Sequence, residues 1–102
     1  MIERLDCSGT QITDPWLALL PGQSEIKWLN LAGTRVSDDG LAHLSGLARL
    51  ETLVLSCTSI SDVGLRHLHG LKKLKTVFLV DTSVTYLGVQ NLRRSLPQLC
   101  VR

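Results

Sequence analysis

Three sets of polar side chains invite a chemical reading. Asp14, Asp38 and Asp62 recur at intervals of 24 residues, as do His43 and His67, and Cys7, Cys57 and Cys100 are scattered along the chain. Paired carboxylates serve acid–base catalysis, and His or Cys clusters hold metals. Each set has a structural explanation instead. The aspartates fall at helix starts, where a carboxylate caps free N–H groups and suits the helix dipole. His43 and His67 fall on neighbouring helices, about 8–10 Å apart, too far to share an ion. His67 and His69, at i and i+2, point to different sides. The cysteines are odd in number, with no Cys-x-x-Cys pair, so neither a disulfide framework nor a zinc site is expected. No Gly-x-Ser-x-Gly, His-Glu-x-x-His or phosphate-loop motif is present. The expectation is a chain that is not an enzyme, with no catalytic residues, cofactor or metal. Three unpaired thiols suit a reducing, cytoplasmic setting.

The same 24-residue interval organises the whole chain. Leu5, Leu29, Leu53 and Val77 form one column; Cys7, Leu31, Leu55 and Leu79 a second; Thr10, Thr34, Thr58 and Thr82 a third; Ile12, Val36, Ile60 and Val84 a fourth. Gly40, Gly64 and Gly88 recur, with Trp16 at the matching place in the first unit. Tyr86 stands where the fourth unit's aspartate would be. So many registered columns define a repeat.

Each repeat has two halves. Leu53 and Leu55, two apart, have strand period and share one face. Leu65, Leu68 and Leu71, at i, i+3 and i+6, have helix period. Ser61-Asp62, with Ser37-Asp38, Thr13-Asp14 and Thr85 in parallel, reads as an N-cap. Gly46 and Gly70 read as left-handed helix ends, a task assigned to Pro21-Gly22 in the first unit. Pro15 suits a first helical turn, and Trp16 reads as a packing cover for the first unit. The recurring threonine sits where strand bends into loop, so its hydroxyl should bond backbone groups there, with stacked copies forming a polar ladder. One unit alone cannot bury its Leu face; stacked units can. The units are approximately 2–25, 26–49, 50–73 and 74–98, with a closing strand at 99–102 and one residue inserted near Arg94-Ser95. Together they make one domain.

Composition agrees. The chain has 102 residues, of which 44 % are hydrophobic and only 4 % aromatic, so the core must be aliphatic. No apolar run approaches the ~20 residues of a membrane span. The first six residues lack the basic and apolar regions of a secretory signal. Net charge is +2, but residues 1–51 carry −3 and residues 52–102 carry +5. That asymmetry favours head-to-tail contacts or a steered partner. Lys72, Lys73 and Lys75, with Arg66, Arg93 and Arg94, form a positive end. Without interleaved aromatics or a glycine-rich loop, nucleic acid is not the expected partner.

The pattern L-x-x-L-x-L-x-x-T-x-[IV]-[ST]-D-x-G-L-x-x-L resembles a leucine-rich repeat. Its -[IV]-[ST]-D-x-G-L- portion is similar to the cysteine-containing subclass of F-box proteins and its bacterial relatives. The resemblance covers nearly all of residues 2–101. It implies an α/β right-handed solenoid of about four strand–loop–helix units, with a parallel sheet on the concave side and helices on the convex side. By function it implies a scaffold or adaptor for protein–protein interaction, or a substrate receptor in ubiquitin ligation.

In such a fold the solvent-facing strand positions form rows: Arg4, Trp28, Thr52, Thr76; then Asp6, Asn30, Val54, Phe78; then Ser8, Ala32, Ser56, Val80; then Gly9, Gly33, Cys57, Asp81. Trp28, Val54, Phe78 and Val80 are the candidate contacts for a partner protein or peptide, with Asn30 and Asp81 orienting it. A shallow surface suits an extended peptide or a protein helix more than a small metabolite. The strand motif begins almost at Met1, so Ile2, Leu5 and Cys7 are expected near an open solenoid end. Three covers are open: the rest of a longer array, a second copy, or another subunit, with association with another chain expected if this is the complete polypeptide.

Overall fold

The computed structural model describes residues 2–20 and 25–102, so the turn assigned to Pro21-Gly22 lies outside the described residues. Five strands form one parallel sheet in sequence order. They are β1 (Arg4–Asp6), β2 (Trp28–Asn30), β3 (Thr52–Val54), β4 (Thr76–Phe78) and the two-residue β5 (Cys100–Val101). Their register follows the repeat: Leu5 faces Leu29, Leu29 faces Leu53, Leu53 faces Val77, and Val77 faces Val101. The strands alternate with helical segments α1 (Asp14–Leu17), α2 (Asp38–Leu41), α3 (Asp62–Leu65) and α4 (Tyr86–Ser95). The core lies between the two layers. Leu29, Leu31, Leu53, Leu55, Leu41 and Leu44 are completely buried in it. This parallel stack of strands with helices on one side is a leucine-rich-repeat solenoid.

The helical halves of the second and third units are shorter than helix period implies. Each has one α turn, then a 3-10 turn: Ala42–Leu44 after α2 and Arg66–Leu68 after α3. A 3-10 helix has three residues per turn, so residues at i, i+3 and i+6 stack along one line. Leu65, Leu68 and Leu71 follow that spacing, and all three are buried. The left-handed glycines also lie elsewhere than expected. Positive φ occurs at Gly9 (71°), Gly33 (68°), Cys57 (61°) and Asp81 (59°), and Gly46 and Gly70 are not among them. The left-handed column therefore marks the bend after each strand.

The threonine column acts as expected in part. Thr10, Thr34, Thr58 and Thr82 Oγ1 donate to the carbonyls of Cys7, Leu31, Leu55 and Leu79 at 2.6–2.7 Å. Each hydroxyl thus closes its own unit's turn, three residues back. The ladder between units is built by other residues.

That ladder belongs to the aspartates, and it corrects their reading as caps of their own helices. Asp14 Oδ1 accepts from the Ser37 N–H at 2.7 Å, and Oδ2 accepts from Ser37 Oγ at 2.5 Å. Asp38 makes the same pair of bonds to Ser61, and Asp62 to Thr85. Each carboxylate therefore clasps the next unit. Of the residues preceding the helices, only Ser61 and Thr85 accept a capping bond, from Val63 N and Gly88 N; Thr13 and Ser37 do not. The glycine column follows from the clasp. A Cβ on Gly40, Gly64 or Gly88 would overlap the carboxylate of Asp14, Asp38 or Asp62 respectively. Trp16, which matches these glycines in the first unit, is instead half-buried against the core. The fourth unit has Tyr86 in the aspartate column, so three clasps join four units.

The fourth unit differs in a second way. α4 runs for ten residues as one regular helix, which accommodates the extra residue near Arg94-Ser95. The register is restored before β5, because Thr76 faces Cys100 at the ordinary interval. Leu96 and Leu99 are buried across that junction and close the core on this side.

Candidate functional site

The strand ladder builds the candidate face. Register partners fall at 24-residue intervals, so Arg4, Trp28, Thr52, Thr76 and Cys100 form one cross-strand row. Asp6, Asn30, Val54 and Phe78 form a second. Between the rows, Leu29, Leu53 and Val77 point inward and are fully buried. Alternation leaves both rows on the opposite face, where Trp28, Asn30, Val54 and Phe78 are half-buried. The structure thus brings four of the six expected contact residues onto one sheet face.

The other two sit beyond the strand ends. Val80 is 56 % exposed, and Asp81 is exposed at the left-handed bend. Backbone pairing continues this far: Gly33 N donates to Ser56 O at 3.0 Å, and Cys57 N donates to Val80 O at 2.9 Å. The row from Ser8 to Val80 is therefore a continuation of the sheet, whereas the column from Gly9 to Asp81 is a line of turns at its rim. Placing that column as a fourth row of the face is corrected accordingly. Cys57 Sγ lies 3.9 Å from Asp81 Oδ2 along the rim.

Two features escaped the sequence reading. Arg4 stacks its guanidinium on the Trp28 ring, 3.8 Å from the centroid. A cation over an indole at an exposed site contributes about 0.5–1 kcal/mol. It also fixes the ring, so Trp28 presents an ordered surface with one face already engaged. The interval itself carried this information, since Arg4 and Trp28 occupy one column and hence opposite positions on β1 and β2. The second feature is local. Asp6 Oδ1 accepts from the N–H and Oγ of Ser8 at 3.0 and 2.7 Å, and Asn30 Oδ1 accepts from Ala32 N at 3.0 Å. These side chains brace the bend after their strands, as Asp and Asn do when they bond two residues ahead. Val54 and Phe78 in the same column have no such group to offer.

Charge is quiet on this face. The Ser8 hydroxyl and N–H, with the Arg4 charge nearby, hold the Asp6 carboxyl below its ordinary value. Burial, with the Asp6 charge adding to it, pushes the Cys7 thiol up. The ion pairs Glu3–Lys27, Glu25–Arg49 and Glu51–Lys75 repeat the unit interval at 3.9, 3.0 and 3.5 Å. Exposed pairs of this kind contribute little. Among the described residues no three metal-ligating side chains come together. No described helix is long and apolar enough to cross a membrane.

Comparison with known proteins agrees with this architecture. A family model described as a leucine rich repeat matches residues 24–84. Two internalins from Listeria monocytogenes have similar solved structures. The internalin C2 (inlC2) structure is 25 % identical with a TM-score of 0.68, covering 99 % of this chain and 52 % of that one. The inlF structure is 21 % identical with a TM-score of 0.62, covering 98 % of this chain and 34 % of that one. This chain therefore spans about a half and about a third of those two. No curated protein matches the sequence.

Proposed function

Since the chain belongs to the leucine-rich-repeat family, we propose that it is a non-catalytic interaction module whose sheet face grips a partner protein or an extended peptide. The observation that carries this reading is the solvent-facing pair of rows. They hold Trp28, Val54 and Phe78 half-buried on a face built of strands, with Val80 exposed at its edge. Aromatic side chains on a rigid support supply contact area at little entropic cost. Asn30 and Asp81 flank the apolar centre and orient the partner. Arg4 is added to this set through its stacking on Trp28. Three free thiols support a reducing, intracellular setting.

The decisive experiment compares partner capture from the source cell by the wild type and by a double variant, Trp28→Ala with Phe78→Ala. Capture should disappear while the circular dichroism spectrum stays that of the folded chain. Undiminished capture would place the interface elsewhere.

A second reading has its own observation. At the β1 side of the stack, Ile2 is 46 % exposed, whereas Ile26 and Leu50 in the same column are fully buried. Leu5, Ile12 and Trp16 are only partly buried there. We infer that this side meets further polypeptide: an adjoining stretch of a longer repeat array, a second copy or a different subunit. Sedimentation over a range of concentrations tests the second-copy form, and a strictly monomeric species removes it.

A further inference from the structure

The convex side of units three and four differs from that of units one and two in a way the sheet face does not explain. Positions one interval apart lie side by side on neighbouring helical segments, because α1 packs on α2, α2 on α3 and α3 on α4. One such column reads Pro15, Asp39, Val63, Leu87, and another reads Ala18, Ala42, Arg66, Gln90. The last two units thus replace small or acidic side chains with an adjacent apolar pair and a cation beside it. Val63 is 61 % exposed and Leu87 69 %, with Tyr86 at 72 % next to them. That is half of the large apolar side chains exposed among the described residues.

A groove and charge accompany this patch. A groove of 270 Å³ opens between α3 and α4, with Val63, Arg66, His69 and Asn91 in its wall. On α4, Gln90, Arg93 and Arg94 line a shallow, open depression. Arg66, Arg93 and Arg94 form no ion pair among the described residues, while Lys27, Arg49 and Lys75 do. Asp62, the one carboxylate at the groove, is occupied in clasping Thr85.

We propose that the helix side of units three and four is a second docking surface, separate from the sheet face, and that its occupant is an acidic amphipathic polypeptide segment. Its apolar side chains lie on Val63 and Leu87, and its carboxylates pair with Arg66, Arg93 and Arg94. Charge complementarity decides the sign of the partner. The exposed apolar pair decides its class. A nucleic-acid backbone would leave Val63 and Leu87 facing phosphate and water, and no aromatic ladder for stacking bases accompanies the cations.

The test uses the intact, isotope-labelled chain and three probes: a soluble peptide alternating Glu with Leu, its Lys-for-Glu counterpart, and an oligothymidylate. The Glu peptide should shift the amide resonances of α3 and α4 saturably, more weakly as salt is added, and the Lys peptide should not. Arg66→Glu with Arg94→Glu should weaken binding by roughly tenfold or more, since like charges now face each other. Val63→Ser with Leu87→Ser should weaken it less, and Trp28→Ala with Phe78→Ala should leave it unchanged. Circular dichroism of each variant establishes that it is folded. Shifts confined to the strands, equal binding of the Lys peptide, tighter binding of the oligothymidylate, or no binding at millimolar peptide would each overturn the proposal.

Discussion

Units one and two obey local rules that units three and four break. At the bend after each strand, where φ is positive, the first two use Gly9 and Gly33; the last two use Cys57 and Asp81. At the strand end, Asp6 and Asn30 brace the backbone, where Val54 and Phe78 cannot. On the convex side, Pro15 and Asp39 give way to Val63 and Leu87. The first two replacements give up backbone support, the left-handed glycines and the Asp6 and Asn30 bonds, and the third leaves Val63 and Leu87 as apolar side chains in solvent. Non-glycine residues in the left-handed region cost roughly 1 kcal/mol or more each. Departures from local consistency of this kind gather where a protein does something besides folding. Both proposed surfaces draw most of their apolar contacts from units three and four.

The sharpest experiment removes what the two halves share. Leu53, fully buried in β3 between its neighbours in the column, belongs to the common core. Leu53→Ala should cost about 2–5 kcal/mol, measured by denaturant unfolding. A loss below 1 kcal/mol would show that the units do not stack on this column. Next comes the clasp. Asp38→Ala leaves the Ser61 N–H and hydroxyl without their acceptor in a half-buried place, at a cost of about 1–3 kcal/mol. Gly64→Ala should act in the same direction, because its Cβ overlaps that carboxylate. If both variants unfold like the wild type, the aspartate ladder is not what couples the units.

The comparison itself is tested by exchanging bends. Cys57→Gly should raise stability by up to about 1 kcal/mol by relieving the left-handed strain. Asp81→Gly should gain less, because Asp tolerates that region better. The reverse exchange, Gly33→Val, should lose more than either gains. A stabilised Cys57→Gly variant that binds partner less tightly would tie the strained rim to function; unchanged binding would make the strain incidental.

The smallest effect is in pH. The folded Asp6 carboxyl sits below its ordinary value of 3.8, so its contribution is present above that value and fades as pH falls through the lower folded one. Proton titration of Asp6 followed at the Ser8 amide should show this, and Asp6→Asn should abolish the transition. An Asp6 that titrates at its ordinary value would mean the Ser8 bonds are not held in solution.

Much of the fold was legible because a repeat states the same instruction several times. The column of Leu5, Leu29, Leu53 and Val77 predicts strand register, and the register found is that of the interval. The rows holding Trp28 and Phe78 followed from alternation alone. What escaped were interactions whose partners lie in different units and whose geometry depends on the stacking distance. The sequence places Asp14 at the start of its own helix and shows the residues beside it, not the Ser37 hydroxyl brought to it by the next turn of the coil. The Arg4–Trp28 stacking depends on that distance too, although the column places Arg4 opposite Trp28.

The sequence by itself determined the interval, the buried aliphatic lattice and the side of each strand that meets solvent. These depend on periodicity and on removing apolar surface from water, which any copy of the pattern imposes. Tertiary structure alone decided that the aspartates join units, that the glycines exist to admit them, and that the three-residue leucine spacing winds as a 3-10 turn. Those outcomes depend on how closely one unit lies against the next, a distance set by packing across units and expressed nowhere within a single one.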